Sequence, residues 1–364
     1  MIDENILKSE EKAIYSLRSL YKKYGYMPFK MSKFEEYELY VRNKDFLISD
    51  RIITFNDTNG KLLALKPDVT LSIIKNGDDK PGIKQKVYYN ENVYRVSGST
   101  HQFKEIMQTG LECIGDIDNY DIFEAVWLAA QSLETISDDF VLEISHLGIL
   151  TALLNETCEN PTFRREISHC IAEKNTHDLR RICNIYDIPQ EKAEKLCTFA
   201  GIYGNMNDVI SRLEPLCTGM EAQNALDELR SLYSLLNNTV YDKKIHFDFS
   251  IVNDMNYYNG IVFKGFLNGI CEGVLAGGTY DKLMRKMGRK SKAVGFALYL
   301  DLLEDLKTPR NEFDIDVLLL YNNSTESKTI LRFVQEQTAI GKSVSAQKAI
   351  PDKIRYRELI DLRN

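Results

Sequence analysis

Residues 88–115, YYNENVYRVSGSTHQFKEIMQTGLECIG, decide how the chain is read. β-favouring residues fill both ends and Ser97 to Thr100 supplies turn chemistry, so the stretch predicts two strands joined by a polar loop. In the second strand Met107, Thr109, Leu111 and Cys113 share one face, while Gln108, Gly110 and Glu112 share the other. The second face is a poor choice for packing. A carboxylate and an amide with a side-chain-free glycine between them make a notch with hydrogen-bonding walls, suited to a small polar ligand. A solvated sheet face is the competing reading, since antiparallel sheets commonly wet one side.

Outward from this hairpin, composition narrows the classes. With 364 residues, 44% of them apolar and 27% charged, the chain can form two or three soluble globular domains. A net charge of −7 gives no support to a general nucleic-acid surface. Seven cysteines stand singly, at 113, 158, 170, 183, 197, 217 and 271, which favours reduced thiols. The first residues, MIDENILKSEEKAIYSL, are charged, and no 18-residue apolar run exists, so no membrane segment and a cytoplasmic location are expected.

Upstream, Ile14, Leu17, Leu20 and Tyr21 recur at helical spacing and Gly25 ends the run. Residues 51–55 and 62–65 read as strands around the turn Asn56-Asp-Thr-Asn-Gly60. Lys66-Pro67-Asp68-Val69-Thr70 then leads into a helix from Leu71, with Asp68 or Thr70 as its cap at the mouth of a sheet. Downstream come a helix at 122–135, a strand at 140–145 and, over 148–238, helical spacing without strand signals. That stretch reads as an inserted helical subdomain. His169, Cys170, His177 and Cys183 within it lack paired ligand spacing, so no metal is expected. Strands resume at 244–251, the Asn259-Gly260 step looks like a hairpin turn, and 273–278 ends in paired glycines. The basic run 282–292 reads as a solvated loop, and Val294 to Leu303 as a buried helix. Beyond Pro309, a strand at 314–321, a helix from Ser324 to Ile340 capped by Ser324, and a strand at 343–346 make one parallel βαβ unit.

Together, FNDTNGKLLALKPDVT, YRVSGSTHQFKEIMQTGLECIG, NDMNYYNGIVF and AGGTYDKL with AVGFALYLDLL resemble the catalytic domain of histidyl-tRNA synthetase over roughly residues 8–305. The resemblance implies an α+β fold, the class II synthetase antiparallel sheet flanked by helices, usually dimeric. It assigns residues 1–310 to that domain and 311–364 to a truncated relative of the family's anticodon-binding unit. The departures sort by ligand. At positions that serve ATP in the family, Arg95 is kept, but Ser97 replaces a glutamate, Ile106 a phenylalanine and Leu302 an arginine, with Lys104 the loop's one cation. Asn253 and Thr279 replace two further arginines, and Ser32 a proline. Phosphoryl chemistry depends on such cations, so neither adenylate formation, nor a catalytic residue, nor a cofactor is expected. Positions that hold histidine are kept: Thr70, Gln108, Glu112, Tyr258 and Tyr280 match, and Asp68 replaces a glutamate.

A synthetase-like chain with an amino-acid pocket and an eroded nucleotide site is similar to the regulatory subunit of ATP phosphoribosyltransferase. That resemblance implies a short-form catalytic subunit as partner, self-association as a dimer, L-histidine as effector in L-histidine biosynthesis, and no nucleic acid. Asp68, Thr70, Arg95, Gln108, Glu112, Tyr258 and Tyr280 are then the expected histidine-binding residues. The alternatives are a divergent histidyl-tRNA synthetase or a tRNA-independent histidine-activating ligase, and a tRNA-binding module.

Overall fold

A computed structural model describes residues 7, 9–44, 52–77, 82–96, 101–252, 257–305 and 313–363. Internal packing divides the chain into two compact units, Met1–Leu306 and Lys307–Asn364.

In the first unit, α1 (Ser9–Lys23) is followed by β1 (Met27–Pro28), β2 (Phe34–Glu36), α2 (Tyr37–Arg42), β3 (Thr54–Asn56) and β4 (Leu62–Leu65). Next come α3 (Thr70–Asn76), β5 (Gln85–Val96), β6 (Phe103–Gly115), α4 (Asn119–Glu134) and β7 (Phe140–His146). The insertion holds α5 (Leu147–Thr157), α6 (Pro161–Ala172), α7 (Thr176–Ile185), α8 (Gln190–Ala200), β8 (Tyr203–Asn205), α9 (Met206–Leu213) and α10 (Met220–Leu236). It is helical apart from β8, which adds an edge to the sheet beside β9 (Ile245–Asp248). The unit closes with β10 (Ile261–Leu267), β11 (Leu275–Thr279), α11 (Asp281–Lys286), β12 (Lys292–Tyr299) and a 3₁₀ turn at Asp301–Asp305.

Nine strands form the main sheet in the order β1-β5-β6-β12-β11-β10-β7-β9-β8, and β2-β4-β3 form a small second sheet. The central hairpin β5–β6 is antiparallel with Tyr89 opposite Gly110 and Val87 opposite Glu112. Its rear face supplies Leu111 and Cys113 to the large core, where Leu17 and Tyr21 of α1 and Leu128 and Ala129 of α4 also pack. Tyr21 and Ser132 tie those helices by a 3.0 Å hydrogen bond. A reciprocal cap starts α4: Asp118 accepts from Asp121 N–H and the Asp121 carboxylate accepts from Asp118 N–H. On the opposite side of the hairpin a smaller core joins Tyr40, Leu71, Ile73, Tyr89, Ile114 and Leu283. The sheet is therefore covered on both faces around β6, and the solvated-face reading of Gln108 and Glu112 does not hold: they are 3% and 2% exposed.

Four local expectations change. Residues 294–299 lie in β12, paired with β6 and β11, so the apolar run is a strand covered on both sides rather than a helix. The basic stretch contains α11, and Arg289 donates to the Ile74 and Lys75 carbonyls at the end of α3. Asn259-Gly260 is no hairpin turn: Asn259 N–H bonds Thr279 O, and β10 runs on to pair with β7 and β11. Ser324 does not cap the last helix, because its hydroxyl donates to Asn322 while Glu326 holds the N-cap position.

The second unit contains β13 (Ile315–Leu320), α12 (Ser327–Ala339), β14 (Val344–Gln347) and β15 (Tyr356–Asp361). Its sheet runs β14-β13-β15 with both pairings parallel, so a third strand extends the expected βαβ unit. Arg355 braces that strand's entry through a 2.7 Å pair with Asp314.

Candidate functional site

All seven residues singled out in the sequence line one cavity. Asp68 and Thr70 reach it from the start of α3, Arg95 from β5, and Gln108 and Glu112 from the front face of β6. Tyr258 precedes β10, and Tyr280 sits between β11 and α11.

Glu112 is the centre of the site. The Thr70 hydroxyl donates to its Oε1 at 2.7 Å and the Tyr280 hydroxyl to its Oε2 at 2.6 Å. Both donors are neutral. Burial raises the carboxyl from its ordinary 4.5 to about 8, against the lowering effect of those two bonds, and the nearby Asp68 charge pushes the same way as burial. The cavity therefore holds a carboxyl whose charged form an N–H donor or a cation would stabilise. Asp68, 8% exposed, is raised too, first by burial, with the Leu71 N–H and the Arg95 charge opposing. Val69, rather than Asp68 or Thr70, holds the N-cap position of α3, but Asp68 Oδ1 accepts from Leu71 N–H in the first turn at 2.9 Å, so the side chain that lines the cavity also braces the start of the helix. Gln108 leaves its Nε2 buried without a hydrogen-bond partner, a cost that a ligand acceptor relieves.

Space for these groups comes from an unexpected glycine. Gly110 is not an open notch: the Tyr89 ring from the next strand fills it, and a Cβ on Gly110 would lie 2.6 Å from the Tyr89 hydroxyl. Gly295 on β12 makes the room instead, since a Cβ there would fall 1.7 Å from Glu112 Oε2. Tyr257 forms an aromatic wall with Tyr258 at 4.7 Å and Tyr280 at 5.9 Å between ring centroids. Burial holds the Tyr257 and Tyr280 phenols well above their usual range, so both stay neutral donors. Tyr89, Tyr257, Tyr299, Gly295 and Phe296 line the cavity without having been singled out. The Tyr257-Tyr258 doublet was the available signal; the others depend on strand register.

Through Arg95, Tyr258, Ala276 and Tyr299 the cavity adjoins a second cleft walled by Val262, Phe263 and Phe266, with Glu143 and Lys264. At the positions compared with a nucleotide site, Ile106 and Leu302 pack as half-buried core side chains and Lys104 is exposed. Thr279 is buried and donates to Ile261 O, while Ser32 is exposed. Ser97 and Asn253 lie outside the described residues. Among the described residues, no group of three or more His, Cys, Asp or Glu side chains is placed to hold a metal ion, and no helix is long and apolar enough to cross a membrane.

A mixed sheet with a helical insertion and a buried acid–amide–tyrosine pocket define a class. The chain belongs to the histidyl-tRNA synthetase family, whose sequence model matches residues 3–303. Over 362 residues it is 27% identical to a protein from Oceanobacillus iheyensis named ATP phosphoribosyltransferase regulatory subunit, covering 98% of this chain and 87% of that one. The fold matches an ATP phosphoribosyltransferase regulatory subunit/histidyl-tRNA synthetase from Bacillus halodurans C with a TM-score of 0.76 and 23% identity, over 100% of this chain and 97% of that one. It also matches a chain of the ATP phosphoribosyl transferase (HisG:HisZ) complex from Thermotoga maritima, with a TM-score of 0.63 and 21% identity over 80% and 97% of the two chains.

Proposed function

We propose that the chain is the non-catalytic regulatory subunit of an ATP phosphoribosyltransferase, associating with a short-form catalytic subunit and binding L-histidine in the Glu112 cavity as feedback effector of histidine biosynthesis. The observation that carries this reading is the joint burial of Asp68, Gln108 and Glu112 around one cavity, while Ile106 and Leu302 are given over to apolar packing. Asp68 and the Gln108 carbonyl suit an α-ammonium; Glu112 and Tyr280 suit the two imidazole nitrogens. The names of the relatives support the partner, and the family membership supports self-association as a dimer. A role away from tRNA and a cytoplasmic location complete the proposal.

Histidine regulates by preferring one arrangement of the hetero-oligomer, with a coupling of about 1–3 kcal/mol typical of such systems. Reciprocity requires that ligands of the catalytic partner change histidine affinity by the same factor. The test is co-purification with a short-form phosphoribosyltransferase, followed by assay with and without histidine and calorimetry of histidine binding with and without the partner's substrates. Failure to activate the partner, or a histidine affinity indifferent to those substrates, removes the proposal. Histidine-dependent exchange of pyrophosphate into ATP by this chain alone would favour the ligase reading instead.

A further inference from the structure

Arg95 keeps its place where the other cations expected for a nucleotide are gone, and its geometry gives it a different task. Its Nε donates to the carbonyl of Pro67 at 3.0 Å, on the residue immediately before Asp68. The same segment is fixed at one more point by each kind of contact available to it. Tyr94 N–H on β5 bonds Lys66 O at 2.9 Å, and the fully buried Lys66 side chain pairs with Glu91 on β5 at 2.8 Å. Burying a lysine is costly, and such a pair is best attested as a device that fixes one arrangement among several. Glu91 stands directly opposite Gln108 in the hairpin, so the anchor and the ligand-facing amide occupy neighbouring positions on one sheet face.

Resting on the proposed amino-acid site, we infer that Arg95 is a positioning residue: with the Lys66–Glu91 pair it holds the Lys66–Asp68 segment on β5 and so sets where the Asp68 carboxylate meets a ligand ammonium. Pro67 has no N–H of its own to add to the anchor, and the planar peptide bond joins its carbonyl rigidly to the Asp68 nitrogen, so a shift of one carries the other. The Arg95 charge acts in the same sense, opposing the effect of burial on Asp68 and favouring the ionised form that an ammonium needs.

The experiment uses the full chain and its Arg95→Met variant, with calorimetry of three ligands. Histidine and histidinol share the ammonium and the ring but differ in the carboxylate; imidazolepropionate keeps ring and carboxylate without the ammonium. Loss of a charge-assisted hydrogen bond is expected to weaken histidine and histidinol by about the same ten- to hundredfold factor and to leave imidazolepropionate within about twofold. A loss confined to the two carboxylates would make Arg95 a direct ligand group, and equal loss for all three would make it merely structural; either overturns the inference. In the unliganded protein, amide exchange over residues 66–71 should accelerate in Arg95→Met, and unchanged exchange also overturns it. Wild-type protein that binds neither histidine nor histidinol would refute the proposed site, while the exchange comparison still decides whether Arg95 holds the segment.

Discussion

Replacing Glu112 by glutamine keeps the side chain's size and an acceptor for Thr70 or Tyr280 but removes its titration. The wild-type carboxyl is at about 8 in the folded protein and 4.5 ordinarily, so between those values the folded state binds more protons than the unfolded one. Stability contributed by this group is then fully present below about 4.5 and is lost as pH rises toward about 8. At about 1.4 kcal/mol for each pH unit, the loss reaches about 5 kcal/mol, and about 3 kcal/mol of it falls between about pH 5 and 7. Glu112→Gln escapes this loss. Urea denaturation of both proteins at several pH values, without ligand, should show the variant gaining on the wild type by about 3 kcal/mol from about pH 5 to 7. The same variant should lose histidine sensitivity in the assembled complex, because the ring then meets no ionisable acceptor. Parallel stability curves across this window would refute the electrostatic account of the pocket, whatever the effect on binding.

Two other substitutions probe the geometry. Gly295→Ala puts a methyl 1.7 Å from Glu112 Oε2 and 2.5 Å from Leu111 O; overpacking of about 1–3 kcal/mol and loss of histidine binding by calorimetry are expected. Arg289→Ala removes the Nη2 group that donates to both the Ile74 and Lys75 carbonyls at the end of α3 and should lower stability by about 1–2 kcal/mol in thermal unfolding, with histidine affinity changed far less than by Gly295→Ala.

The alternating pattern of residues 103–115 made both faces of β6 legible, and the polar residue types named the chemistry of one of them. What the pattern lacked was the neighbour. Whether Gly110 is a hole depends on what stands opposite, and Tyr89 is placed there by the register of a hairpin whose pairing is not written in β6 itself. The same limit explains β12: a continuous apolar run suits a buried helix or a strand covered on both sides, and periodicity cannot separate them. Gly295, inside that run, was a signal for the strand, since a glycine in a strand interior often marks a close approach. β15 gives a weak strand signal because four of its six residues are exposed and half are charged, as edge strands tend to be. In the pocket, side-chain chemistry was readable from residue identity, while the aromatic wall and the Arg95–Pro67 contact required three-dimensional placement.

One strand carries the cavity-lining acid and amide outward and, one residue away on each side, presses Thr109, Leu111 and Cys113, all wholly inaccessible, inward. A close-packed interior of this kind is stiff and transmits strain. A side chain displaced at the front of this strand would therefore press on the residues that pack against α1 at the back.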